Sequence, residues 1–224
     1  MVLRPVVIVL LVFSLFFFSG CSYKKQPIAS ADISYSDDFN QGDPDQLNNS
    51  LKTNLKKATD YAKTWQKDAY FAGISLKLTA DFKPSELENT FIFGSEQDTK
   101  NWLTYTTKSD GFLRALIPKE DFLGNGLKKI DQSFWKKSYL EAIKITEANG
   151  GIKFRAENST AQLLVLLRRG EPNDWLWWEV IYKSQNNKEV KFLISAENGN
   201  LYDSKGQPVG VIQKQTETTP SEIK

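Results

Sequence analysis

The chain has 224 residues, of which 40% are hydrophobic and 12% are aromatic, so it has enough apolar surface for one or two small cores. Its 29 basic and 27 acidic side chains nearly balance, which excludes the concentrated positive charge of a nucleic-acid-binding protein. The chain contains no histidine, which removes histidine-activated nucleophiles, the commonest general base and histidine-ligated zinc. We therefore expect no nucleic-acid partner, no metal and no other cofactor.

Residues 1–20 have the pattern of an export signal. Arg4 precedes an apolar stretch over residues 6–18 that is interrupted only by Ser14. About 13 residues of helix would span ~20 Å, less than the roughly 30 Å hydrocarbon core of a bilayer. A permanent membrane-spanning helix is therefore the weaker interpretation of this segment.

Cys21 follows this stretch and is the single cysteine of the chain, so it cannot form an internal disulfide. The small residues Ser19 and Gly20 directly before it resemble the lipobox of bacterial lipoproteins, although Phe18 stands where that family usually has leucine. The resemblance implies cleavage before Cys21 and acylation of its thiol with fatty acids such as palmitate. It also implies anchoring to the cell membrane or the outer membrane, with the body outside the cytoplasm. An uncleaved anchor and a simple secretory signal are the alternatives.

Residues 21–43 are expected to form a flexible tether, because they are mostly polar and have no sustained hydrophobic period. The acidic residues suggest a calcium loop that starts at Asp38. That pattern fails, since Gly42 and Asp43 stand at the wrong positions and Asn49 stands where a glutamate is required. Asp43 before Pro44 instead predicts the start of a helix.

Residues 44–118 are predicted to form one α+β unit. Apolar residues at steps of three and four from Pro44 to about Asp68 indicate an amphipathic helix with lysines between them. Such a helix can lie on a membrane, but packing over a sheet is the favoured interpretation. Alternating apolar residues and intervening turns then predict strands at residues 74–79, 90–94, 102–107 and 112–117.

Residues 133–203, after a linker over residues 119–132, are predicted to repeat that order. Ser133 is the expected N-cap of a helix that ends at Gly150 and Gly151, which accept positive φ. Strands are predicted at residues 152–155, 162–168, 175–183 and 189–195, followed by a polar tail at residues 204–224.

The fold class that follows is α+β, with two tandem repeats that each pack a helix on a small, mostly antiparallel four-stranded sheet. Local sequence similarity supports the repeat, if an offset of one residue is allowed. Two segments that each precede a predicted hairpin contain similar residues. The first has Trp102, Tyr105, Lys108 and Ser109, and the second has Trp178, Tyr182, Lys183 and Ser184.

The second unit also resembles a PepSY domain. The matching segments are the helix over residues 139–151, the strand over residues 178–182 and the strand over residues 189–200, which ends in Ser195-Ala196-Glu197-Asn198-Gly199. The first unit is connected to this family only through the internal repeat. The resemblance implies a non-catalytic binding or inhibitory role in the cell envelope, and it implies no catalytic residue.

Three carboxylate pairs leave an enzyme as the alternative. Glu86 with Glu88, Glu120 with Asp121, and Glu171 with Asp174 all lie in or beside predicted turns, where solvated side chains explain them more simply than catalysis does. We therefore expect no enzyme activity. An envelope hydrolase that uses carboxylates and a purely structural envelope component remain the alternative functions.

The strand over residues 175–183 carries the candidate binding residues. Alternation places Trp178 and Val180 on the face that the helix would cover, and it places Trp175, Trp177 and Ile181 on the other face. Apolar residues on both faces imply that something covers the second one. The cover is either the other repeat or a protein, peptide or glycan partner, for which these three residues would form an aromatic platform.

Overall fold

The computed structural model describes residues 44–79, 84–108, 111–121 and 126–209 of the chain. The predicted signal peptide, the lipidation site Cys21 and the tether lie outside the described residues. Residues 210–224 of the predicted tail also lie outside them.

Within the described residues, eight strands form one antiparallel sheet, in the order β4-β3-β2-β1-β5-β6-β7-β8. The strands are β1 (Tyr70–Leu78), β2 (Pro84–Gly94), β3 (Asn101–Lys108), β4 (Gly111–Pro118), β5 (Gln162–Gly170), β6 (Trp175–Lys183), β7 (Glu189–Ser195) and β8 (Leu201–Tyr202). The α+β class predicted from the sequence is confirmed.

The helices are α1 (Pro44–Trp65), α2 (Tyr139–Thr146) and α3 (Ile152–Glu157). Helix α1 buries its apolar stripe against β1, β2 and β3, and α2 packs on β6 and β7. The side chains under both helices belong to one continuous core, so both helices lie on the same face of the sheet, which we call the first face. None of the described helices is both long and apolar enough to cross a bilayer.

One sheet replaces the two small sheets that the sequence predicted. Strands β1 and β5 pair antiparallel, with Ile74 opposite Leu167 and Leu76 opposite Val165. These matched apolar pairs continue the core across the junction, so neither four-stranded group has an open edge there. Each half still consists of a helix followed by strands that pair in chain order.

The residue-level similarity between the halves does not fall on equivalent strands. Trp102 and Tyr105 lie on β3, the third strand of its half, whereas Trp178 and Tyr182 lie on β6, the second strand of its half. Trp102 and Tyr105 also belong to different apolar clusters on opposite faces of the sheet, whereas Trp178 and Tyr182 share the first-face core. The local match therefore does not support the repeat.

The second helical region differs from the prediction at its start and in the segment that follows it. Ser133 lies in a 3-10 turn (Gln132–Phe134), and α2 begins only after Ser138, which forms a capping box with Glu141. The helix does end as predicted, because Asn149 and Gly150 leave helical geometry and Gly150 has a φ of 123°. The predicted strand at residues 152–155 was wrong, because this segment continues as α3 and its Arg155 side chain reaches back to Glu147.

The buried apolar side chains of the described residues run from Leu51 to Tyr202. All of these side chains lie after residue 50. A chain that starts at residue 22 retains all of these contacts.

Candidate functional site

The face of the sheet opposite the helices, which we call the second face, is partly covered by the chain between β4 and α2. Leu127 packs against Ala72, Ile92 and Trp102 in a separate small cluster. Lys119 Nζ lies 4.4 Å from the centre of the Trp102 ring. This crossover protects one end of the second face.

The middle of the second face carries aliphatic side chains beside hydroxyl groups. Leu164 on β5 and Ile181 on β6 are direct neighbours across the strands and are half-buried. Thr90 and Thr106, on the side towards β4, share a hydrogen bond of 2.9 Å between their hydroxyl oxygens. No described helix packs on this patch.

A buried charge cluster adjoins the aliphatic patch. Glu179 is only 4% exposed, and its carboxylate forms ion pairs with Arg168 Nε and Lys191 Nζ. A buried carboxylate is tolerated when cations compensate it, and two cations here leave one positive charge in excess. The cluster therefore offers an anchoring point for an acidic group beside the apolar patch.

The three residues of the predicted platform do not form one open surface. Trp177 is fully buried, and its indole N–H donates to the carbonyl oxygens of Gly170 at 3.1 Å and Pro172 at 3.0 Å. Tyr202 packs edge-on against its ring, with the centroids 5.1 Å apart. Trp175 is 46% exposed and Ile181 is half-buried, so these two remain accessible while Trp177 does not.

The cover over Trp177 comes from two turns of its own half rather than from the other half. The β5–β6 turn folds over the ring, and Asn173 in that turn donates to the carbonyl oxygen of Gly206 at 3.2 Å. The backbone continues beside β8 as far as Val209, whose N–H donates to Leu201 O at 2.8 Å. Sequence alternation places Trp177 on the correct face but carries no information about these turns.

Two of the three carboxylate pairs predicted in turns lie among the described side chains. Glu120 and Asp121 are exposed, and Asp174 binds Lys128 at 3.0 Å and Arg169 at 2.8 Å. The side chains of residues 86 and 88 lie outside the described part of the chain. In the part of the chain that the structure describes, no group of three or more acidic or cysteine side chains is placed to hold a metal ion.

A second buried carboxylate, which the sequence analysis missed, lies on the first face. Glu147 is 2% exposed and accepts from Tyr182 Oη at 2.7 Å and from Arg155 Nη2 at 2.5 Å. A Cβ at Gly151 would lie 2.6 Å from both Glu147 Oε1 and Tyr182 Oη, so only glycine admits this approach. Its helical spacing was the available indication, because Glu147 stands four residues after the apolar Ile143.

The Glu147 network attaches the helical region to β6. Tyr182 Oη also lies 2.7 Å from Thr146 Oγ1, so the phenol connects two helical side chains to the strand. Burial raises the pKa of Tyr182 well above its ordinary value, and the neighbouring Glu147 carboxylate adds to the rise. The phenol is therefore a neutral structural donor and not a proton-transfer group at physiological pH.

Comparison with known protein families, with curated proteins and with solved structures gives no match. Function is therefore argued from the geometry of the described residues and from the sequence pattern at the start of the chain.

Proposed function

We propose that the protein is a lipid-anchored component of the bacterial cell envelope that binds a partner without catalysing a reaction. The anchor is proposed from the apolar stretch over residues 6–18 and the Ser19-Gly20-Cys21 sequence after it. The lipid on Cys21 holds the protein on the cell membrane or the outer membrane, with the body outside the cytoplasm.

The single observation that supports a binding role is the confinement of both helices to the first face. This leaves Leu164, Ile181 and the Glu179 cluster on a face that no described helix covers. The accessible apolar residues at the centre are aliphatic, and Trp177 is withdrawn from the surface. Aliphatic side chains beside an excess positive charge favour a protein or peptide segment with apolar and acidic groups over a glycan, for which Trp175 alone of the predicted platform offers an open ring.

We propose further that the halves are two copies of one PepSY-like unit. Support comes from the order of elements, because a helix precedes four strands that pair in chain order in each half. The short match between Trp102 and Trp178 no longer supports the repeat. In this reading the joined sheet is a single binding surface made by both copies.

A carboxylate hydrolase is the weaker alternative. Its two acidic groups have to flank one glycosidic bond, with the carboxyl groups about 5 to 10 Å apart. The two buried glutamates, Glu147 and Glu179, lie on opposite faces of the sheet, and each is already bound by an arginine. This arrangement favours two separate structural ion pairs.

Photocrosslinking in the cell that makes the protein tests the binding face. A photoreactive amino acid at Leu164 or Ile181 should give a discrete protein adduct, whereas the matched control at Thr53, exposed on the outer side of α1, should not. Ile181→Lys should abolish the adduct formed from position 164 without lowering the unfolding midpoint by more than a few degrees. Equal adducts from positions 53 and 181, or none from the second face, would contradict the proposal.

A further inference from the structure

The outer surface of α1 is a basic face. Four exposed lysines and one exposed acid, Asp60, lie on the helix between residues 50 and 65. The lysines are Lys52, Lys56, Lys57 and Lys63, and the exposed Lys67 follows directly after the end of the helix. We call this set the α1 basic face.

The basic face is not needed for folding. Leu51, Leu55, Ala58 and Ala62 are at most 3% exposed and form the stripe that packs on the sheet. The stripe residues follow one another at steps of three and four and therefore face inwards. The lysines stand between them and lie on the other side of the helix. Lysines four residues apart, such as Lys52 and Lys56, repel each other and slightly destabilise the helix. An external polyanion would relieve that repulsion.

We propose that the α1 basic face rests on the anionic phospholipid headgroups of the membrane in which the lipid is anchored. This inference extends the proposed function, since the anchor brings α1 to a lipid surface. A tether of roughly 20 residues spans at most ~75 Å, so the body stays at a high local concentration beside the membrane. Each lysine near an anionic surface then contributes about a fivefold increase in binding.

The contact would also orient the binding face. Helix α1 covers the first face, so a membrane beneath α1 leaves the second face directed away from the lipid. Ile181 and the Glu179 cluster are then accessible to a partner in the envelope space. Lipid contact and partner binding therefore use opposite sides of one body.

Vesicle binding by the lipid-free chain, residues 22–224, tests the inference. The chain should bind mixed phosphatidylglycerol–phosphatidylcholine vesicles at low salt, should not bind pure phosphatidylcholine vesicles, and should be released at high salt. The triple variant Lys52→Gln, Lys56→Gln, Lys63→Gln should lower the partition coefficient about 100-fold. Glutamine has about the same helix propensity as lysine, so the circular dichroism spectrum of the variant should equal that of the wild type.

A charge-matched control separates the α1 basic face from net charge. Lys183, Lys188 and Lys205 are exposed on β6 and in two turns away from α1, and their replacement by glutamine should change the partition coefficient by less than about threefold. Arginine at positions 52, 56 and 63 should restore binding.

Equal losses from the two triple variants, or equal binding to neutral and anionic vesicles, would overturn the inference. Because this chain carries no lipid, the result does not depend on acylation of Cys21. Failure of the anchor and failure of the lipid-facing helix are thus distinguishable.

Discussion

Three tryptophans of β6 lie within four residues but have different surroundings. Trp178 is fully buried under the helices, where its indole N–H donates to Lys137 O at 2.7 Å. Trp177 is equally buried on the second face, and Trp175 is 46% exposed. Burial therefore does not follow the face on which a side chain lies, because local turns cover one residue and leave its neighbour open.

Replacement of these tryptophans by alanine should separate the buried pair from the exposed one. Trp177→Ala and Trp178→Ala should each lower the free energy of unfolding by about 3 to 5 kcal/mol, since each removes a large buried ring. Trp175→Ala should cost less than about 1 kcal/mol. Denaturant unfolding of the lipid-free chain gives these values, and a loss at Trp177 as small as that at Trp175 would contradict the cover described for it.

The buried phenol of Tyr182 predicts a loss of stability in alkali. The pKa of Tyr182 is raised in the folded protein, so above about pH 10 the unfolded chain loses this proton first and is favoured. The contribution is fully present below pH ~10 and decreases as pH rises beyond it.

Unfolding free energies measured on both sides of pH 10, for the wild type and Tyr182→Phe, check this dependence. The variant should be less stable at neutral pH because Glu147 and Thr146 lose their partner, but its stability should fall less steeply in alkali. Parallel pH curves for the two proteins would contradict the assignment.

At the scale of elements, hydrophobic periodicity was sufficient to predict the regular helices and strands. Helix α1 and the strands β3, β4, β6 and β7 lie close to their predicted bounds, because each shows a clear period of 3.6 or 2 over its length. The short segment after Gly151 was predicted wrongly as a strand, since six residues are too few to distinguish the two periods. Gly150 ends the preceding helix at a positive φ as predicted, but a second short helix follows it instead of a strand.

The corrected start of α2 gives a prediction at this scale. Ser138→Ala should destabilise the protein by about 1 kcal/mol, because its hydroxyl accepts from Glu141 N at 3.2 Å and completes the capping box. Ser133→Ala, the N-cap predicted from the sequence, should change stability by no more than about 0.5 kcal/mol, since the side chain is exposed. Thermal unfolding of the two variants measures both effects, and a larger loss of stability in Ser133→Ala than in Ser138→Ala would contradict the assigned helix start.

For the whole molecule, the element order of the first half could be predicted, but the joining of the halves could not. The pairing of β1 with β5 is a contact between distant parts of the chain, and alternation along each strand is compatible with two sheets or with one. The same limit applies to the binding site. The sequence places Ile181 on the second face correctly, but the covering of Trp177 depends on turns that meet only in the folded protein.

Attachment through Cys21 is the central claim for the whole molecule, because it determines the proposed location and brings α1 to a lipid surface. The most direct measurement is mass spectrometry of the N-terminal peptide of the mature protein from the membrane fraction. We expect the chain to begin at Cys21 and to carry a diacylglyceryl group, and we expect Cys21→Ala to remain uncut or to leave the membrane. A membrane-bound mature chain that begins elsewhere, or that carries no lipid on Cys21, would contradict the account.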